Sequence, residues 1–305
     1  MRLLTRSDFD GLVCAVLLTS IGIVHSREFV HQKDIQDGLI NVTENDVLAN
    51  VPFVEGCGLW FDHHSSEEER FSDVPIGFQG AFELADSAAR VIFNYYGGEE
   101  KFGTRFDELL NAVDRSDSAK FTKDEILNPK GGVLLSFIMD ARTGLGRYKD
   151  YRISNYQLMD DLIHYCQTMK IEEILNLADV KERVDRYFND MPKFEKLLKD
   201  ISVVDANVLI TDLRNVDVPP AGNRFLLYTL FPKINISIRA FKGKMGNVVF
   251  AVGSNIFNQN KNTDIGALML KYGGGRHRKA GTCQVETQNA DKILKELIEV
   301  CKANG

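Results

Sequence analysis

Arg2-Leu3-Leu4-Thr5-Arg6-Ser7-Asp8-Phe9-Asp10-Gly11 opens the chain with an apolar run that breaks into an acidic loop, and Leu12 to Leu18 follows at helical spacing. The order reads strand, acidic loop, helix. Glu28 to His31 forms a second short run before the polar segment 32–38. Val47 to Ala49 and Gly58 to Phe61 supply further strands, and Asp86 to Tyr96 a further helix. Such alternation predicts a mainly parallel sheet covered by helices on both faces, with ligands at the carboxyl ends of its strands.

Beyond Arg105 the texture becomes helical, with Phe106, Leu109, Leu110 and Val113 at helical spacing, and the charged stretch Val180 to Lys199 reads as a linker helix. From Val203 strand-like runs return at Val208 to Thr211, Ile234 to Arg239 and Val248 to Gly253, punctuated by Pro219-Pro220 and Gly243 to Gly246. The expected architecture is α/β throughout. Residues 1–199 would form a larger domain with a helical extension and linker, and 200–305 a smaller C-terminal α/β domain.

With 305 residues, 44% hydrophobic and 26% charged, the chain has enough apolar surface for two cores. Five cysteines, at 14, 57, 166, 283 and 301, show no paired spacing and follow no secretory leader, so reduced thiols and a cytoplasmic location are expected. No apolar run is long enough to span a bilayer. A net charge of −6 argues against a general nucleic-acid coat. Lys271, Arg276, Arg278 and Lys279 nevertheless make a local basic patch, suited to a small polyanion.

Four clusters carry chemistry. Asp8 and Asp10 lie two residues apart in a loop that Gly11 closes, so both carboxylates can project from one strand end. The plain alternative is a helix N-cap. Asp62-His63-His64 ends an apolar run, and neighbouring imidazoles there point to opposite sides, one free to ligate while the other faces substrate. Asp114 closes the apolar helix pattern of Ala112-Val113-Asp114, where a capping or solvated carboxylate is the ordinary role. Gly273-Gly274-Gly275-Arg276-His277-Arg278-Lys279-Ala280-Gly281 combines flexible backbone with cations, a pattern suited to an anion, although three glycines alone more often make a turn.

Taken in this order, Asp8-Phe9-Asp10-Gly11, Asp62-His63-His64, Asp114 and Gly273 to Gly281 resemble the DHH phosphoesterase superfamily with its associated C-terminal domain, over nearly the whole chain. Exopolyphosphatase-like, RecJ-like and oligoribonuclease-like proteins share that pattern. The resemblance implies a metal-dependent phosphohydrolase acting on short oligonucleotides, nucleotides or polyphosphate by attack of metal-activated water. It assigns Asp8, Asp10, His63 and Asp114 as ligands of one or two Mn²⁺ ions, with Mg²⁺ also admitted. Asp62 and His64 become the catalytic pair. In the C-terminal domain it assigns the phosphate grip to Arg239, Gly273, Gly274, Gly275, Arg276 and His277. The implied partner is a small phosphate-bearing molecule or short single-stranded nucleic acid, with no membrane and a homodimer left open.

Two positions depart from the pattern. Family members often carry a His shortly before the two Asp residues, where this chain has Leu4, Thr5 and Arg6, and Asn50 stands where a bridging carboxylate is expected unless a different register brings in Asp46. A neutral amide is a poorer ligand. These departures raise the alternative of a non-catalytic nucleotide- or nucleic-acid-binding protein with a degenerate metal site.

Overall fold

The computed structural model describes residues 1–64, 77–243, 246–258, 262–275 and 278–304. The chain divides into two compact units, Met1–Tyr187 and Phe188–Gly305, and the division falls inside one long helix, Ala178–Ile201.

In the first unit five strands, β1 (Arg2–Thr5), β2 (Ser26–Phe29), β3 (Asp46–Ala49), β4 (Leu59–Asp62) and β5 (Gly80–Phe82), form one sheet in the order β2-β1-β3-β4-β5. Every pairing in it is parallel. β3 is buried at all four positions, as expected where helices or loops cover both faces. On one face the Phe9–Ser20 helix packs with Leu3, Val47 and Phe61. On the other, Leu4, Leu48 and Trp60 meet a smaller cluster that includes Val30, Ile35 and Val51. Successive strand residues thus feed alternate cores, which is why these strands read as continuous apolar runs.

The chain leaves β1 toward one side of the sheet through β2 and returns to its other side through β3, so the order reverses between β1 and β3. In open parallel sheets, ligands bind at the carboxyl ends beside such a reversal. The connection after β1 is tight. A Cβ on Gly11 would lie 2.0 Å from the Arg6 carbonyl oxygen and 2.8 Å from Thr5 Oγ1, so only glycine lets the helix start directly against the strand end.

The second unit holds a mixed sheet of β6 (Ser202–Asp205), β7 (Val208–Asp212), β8 (Ile236–Lys242), β9 (Val248–Ser254) and β10 (Ala280–Val285), ordered β10-β9-β8-β7-β6. Only β7 and β8 run parallel among its pairs. Ile236, Ile238 and Ala240 of β8 face a core shared with the Ile265–Leu270 helix and with Leu297 and Cys301. Ser237 and Arg239 therefore lie on the opposite face. Among the described residues no helix is long and apolar enough to cross a membrane.

Trp60 is fully buried, donates Nε1–H to the Val51 carbonyl at 2.9 Å and contacts Phe53, Phe78 and Phe82. Trp60→Ala is expected to cost about 3–5 kcal/mol, combining lost burial with a cavity. Denaturant unfolding measures it, and a loss below about 1 kcal/mol would contradict this packing.

Candidate metal centre

Every residue of the candidate site lies at the carboxyl ends of the first sheet's strands, on the connections leaving them, or on the helices around them. Asp8 caps the Phe9–Ser20 helix, with Oδ1 accepting from Gly11 N at 3.0 Å. The same oxygen accepts from Asn50 Nδ2 at 3.0 Å, and Oδ2 lies 3.0 Å from Arg6 Nε. The capping reading of Asp8 therefore holds, at a position beside the candidate site.

Asp10, in the first turn of the helix, is buried. Its two oxygens accept from the first amides of the Ala88–Tyr95 helix, Ala88 N to Oδ2 and Ala89 N to Oδ1, each at 2.9 Å. A helix N-terminus is a site for negative charge, so this carboxylate is gripped through the exposed amides of a distant helix. Cys14 Sγ lies 3.8 Å from Oδ1.

His63 and His64 leave β4 in different directions. The His63 ring places Nδ1 3.0 Å from the Ala85 carbonyl, which can only accept, so Nδ1 carries the proton of the neutral ring. Nε2 then faces Asp117 Oδ2 at 3.2 Å and Asp10 Oδ2 at 3.6 Å. The side chain is 8% exposed, and Nε2 makes no aligned hydrogen bond. A carbonyl behind one ring nitrogen and two carboxylates in front of the other is the usual setting of a metal-ligating imidazole. His64 instead turns Nδ1 to Asp62 Oδ1 at 2.6 Å. The same oxygen accepts from the amides of His63 and His64 at 2.7 and 3.2 Å. Asp62 is thus the residue that orients this turn.

Ligand atoms of Asp10, His63 and Asp117 lie within 4.8 Å of one another, as do those of Asp62, His63 and His64. The carboxylate expected from the Asp107–Asp117 helix was Asp114, but the structure brings in Asp117, one turn further on. Asp114 is committed elsewhere. Its Oδ2 accepts from Arg90 Nε at 2.9 Å and Nη2 at 2.6 Å, and its Oδ1 from Ser87 Oγ at 2.7 Å. Ser87 also caps the Ala88–Tyr95 helix. Asp114 therefore anchors the helix start that holds Asp10. Sequence spacing could have offered Asp117 on equal terms, since positions three apart share a helix face. The signal that separates them is Arg90, which is remote in sequence.

Charge follows from this geometry. Burial, with Asp117 and Asp8 adding repulsion, pushes the Asp10 carboxyl up to about 7 although His63 and the Ala89 amide oppose the rise. Burial lowers His63, but Asp117, Asp10 and Asp62 outweigh it and raise the imidazole to about 10. Burial would raise Asp117, yet His63, His64 and Arg6 hold it well below the usual carboxylate range. His64 is raised as well, because the charge and hydrogen bond of Asp62 overcome burial. Crowded carboxylates and an imidazole with an unmatched nitrogen are a donor set a divalent oxygen- and nitrogen-binding ion fits.

Asn50 sits at the end of β3 with φ of 58°, in the left-handed region that Asn tolerates, and its buried Oδ1 has no hydrogen-bond partner. Asp46 cannot replace it. At the opposite end of β3 it pairs with Arg2 at 2.7 Å. His31 caps the Gln32–Gln36 helix. Arg142 is bonded to Asp140 at 2.6 Å; burial opposes its charge, but Asp140 first, then Asp8 and Asp117, outweigh burial and raise its pKa.

In the second unit, the amides of Gly273, Gly274 and Gly275 are not offered to an anion. They donate to the carbonyls of Leu270, Met269 and Thr282 at 3.0, 2.9 and 3.0 Å. These glycines end the Ile265–Leu270 helix and allow close packing, since a Cβ on Gly274 would meet the Thr282 oxygen at 2.2 Å. Arg276 and His277 lie outside the described residues. Arg239 shares its face of β8 with Ser237, whose Oγ lies 3.0 Å from the buried Tyr228 hydroxyl. Asn255 and Asn258 serve the fold, bonding the Ile234 carbonyl and the Asn235 side chain.

No protein-family model and no curated protein matches the chain. Solved structures do. A pGpG-specific phosphodiesterase, PggH from Vibrio cholerae, is 46% identical, with a TM-score of 0.84 over 100% of this chain and 99% of its own. A DHH domain described as belonging to a family of ribosomal proteins is 14% identical with a TM-score of 0.58, covering 99% of this chain and 86% of its own. RecJ from Thermus thermophilus, solved in complex with Mn²⁺, is 12% identical with a TM-score of 0.52, covering 97% of this chain and 51% of its own. The last two establish likeness of fold alone. The full-length likeness at 46% identity places the chain among phosphoesterases. The chain belongs to the DHH phosphoesterase superfamily.

Two measurements test the centre. Asp117→Ala should abolish Mn²⁺ binding, whereas Asp114→Ala should keep it while losing about 1–3 kcal/mol of stability, the cost of unmatched buried partners. Calorimetric titration with the opposite pattern would overturn the assignment. Because His63 is protonated below about 10 and Asp10 below about 7, the incoming ion must displace protons. Mn²⁺ affinity should therefore rise with pH, releasing about one proton at pH 8 and approaching two near pH 6. Proton release unchanged between those pH values would refute it.

Proposed function

We propose that this protein is a metal-dependent phosphodiesterase that hydrolyses a short linear guanine dinucleotide, pGpG, with water to give two molecules of GMP. The observation that carries the reading is the convergence of Asp10, His63 and Asp117 around a buried imidazole nitrogen without an aligned partner. Full-length similarity to a pGpG-specific phosphodiesterase supports the substrate.

Asp10, His63 and Asp117 would hold the ion, and Mn²⁺ is our choice because the RecJ neighbour was solved with it. When bound, such an ion lowers the pKa of water and neutralises charge on the phosphoryl oxygens. The chain's own residues do the rest. Asp62 fixes the His64 ring through Nδ1 and leaves the opposite nitrogen of this partly exposed side chain to face substrate. With its pKa raised, His64 enters as the protonated donor to the departing ribose oxygen. Arg142 supplies a guanidinium beside the acidic centre for a non-bridging phosphate oxygen.

We assign the second unit, taken from the sequence as 200–305, to substrate binding, with Arg239 as its phosphate contact and Arg276 and His277 as further candidates. All five cysteines are unpaired, which fits the reducing cytoplasm in which we place the enzyme.

Incubation with Mn²⁺ and pGpG should give GMP at a rate at least about 100-fold above that for polyphosphate or a generic aryl phosphodiester, since a site built around base and phosphate contacts discriminates strongly. His63→Ala should abolish turnover. Equal rates on all three substrates would refute the dinucleotide assignment, and undiminished turnover by His63→Ala would refute the centre.

A further inference from the structure

Asp8 lies beside the Asp10–His63–Asp117 centre, yet its charge is already matched. Arg6 Nε lies 3.0 Å from Oδ2, while Gly11 N and Asn50 Nδ2 each donate to Oδ1 at 3.0 Å. A carboxylate with three donors on its two oxygens has little left for a cation. By contrast, the imidazole nitrogen of the 8%-exposed His63 side chain has no aligned donor or acceptor and faces Asp10 and Asp117. One position around the centre is arranged for an ion, and the adjacent one is filled by protein cation and amide.

The two residues that fill it are Arg6 and Asn50, each at the carboxyl end of a central strand. Arg6 follows β1 and Asn50 follows β3, the neighbours between which the strand order reverses. Both replace a metal donor by a hydrogen-bond donor, and they act on the same carboxylate. A carboxylate at position 50 would add negative charge against Asp8 and leave that oxygen without its Nδ2–H donor. A neutral side chain at position 6 would remove the cation paired with Asp8, one whose charge reaches Asp117 as well.

We infer that the Arg6 guanidinium, seated on Asp8 with Asn50, takes the place of a second divalent ion, so that the centre binds one metal ion per chain and carries its second positive charge in the polypeptide. This rests on the metal-dependent reading above and specifies its stoichiometry. Arg6 acts as a positioning and charge-supplying residue through Asp8. Being permanently protonated, it contributes that charge at any working pH and without any dependence on metal supply.

Mn²⁺ alone is the probe, followed by calorimetry, native mass spectrometry and electron paramagnetic resonance of the full chain. The wild-type protein should bind one Mn²⁺ with the six-line spectrum of an isolated ion. Arg6→Ala should keep that ion but lower kcat by about 100-fold, as for loss of a preorganised charge, while Arg6→Lys should restore it to within about 10-fold. The double variant Arg6→Asp/Asn50→Asp should take up a second ion and show a spin-coupled spectrum, a gain that misfolding cannot imitate. Two ions in the wild-type protein would overturn the inference and leave the metal-dependent reading intact, as would full turnover by Arg6→Ala. Absence of any Mn²⁺ binding together with absence of turnover would remove the metal-dependent reading itself.

Discussion

The structure turns on the grip of two helix-start amides on one buried carboxylate. Asp10 is removed from water at a point where Asp8 and Asp117 already add negative charge, and an isolated carboxylate in that position would simply protonate. Ala88 N and Ala89 N make its burial tolerable by meeting both oxygens at once. They also tie the first connection of the sheet to the helix after its last strand, which fixes the floor on which His63 rests.

Around that floor each acidic group is answered by a donor of its own. Asp8 has Arg6, Asn50 and Gly11. Asp62 has the two amides and the ring of the histidine turn. Asp114 has Arg90 and Ser87. The pairing is local and complete enough that the clustering costs the fold little. It leaves His63 Nε2, which faces Asp117 and Asp10 without an aligned hydrogen bond, as the feature that stands out.

Much of this was legible before any coordinates. Apolar runs alternating with helical periods gave the parallel sheet, because strands buried on both faces cannot show a polar side. The gathering of Asp8, Asp10 and His63 at one sheet edge was legible because each closely follows a strand end, where the direction of the chain dictates where side chains collect. Asp117 was not. Asp114 and Asp117 are one helical turn apart, and the choice between them is made by Arg90 and Ser87, groups whose proximity only tertiary structure supplies. The triple glycine failed for a related reason. Its amides could serve an anion or end a helix, and the nearby carbonyls of Leu270, Met269 and Thr282 decide for the latter. Arg6 and Asn50 were visible as departures, but not that both converge on Asp8.

The bond from Ala88 to Asp10 spans 78 residues of chain. Closing a loop of that size costs conformational entropy that the contact must offset. The residues of the centre therefore come together only when widely separated parts of the first unit are in place. A ligand that needs both connections in place binds the folded chain alone and adds its binding free energy to the stability of that state.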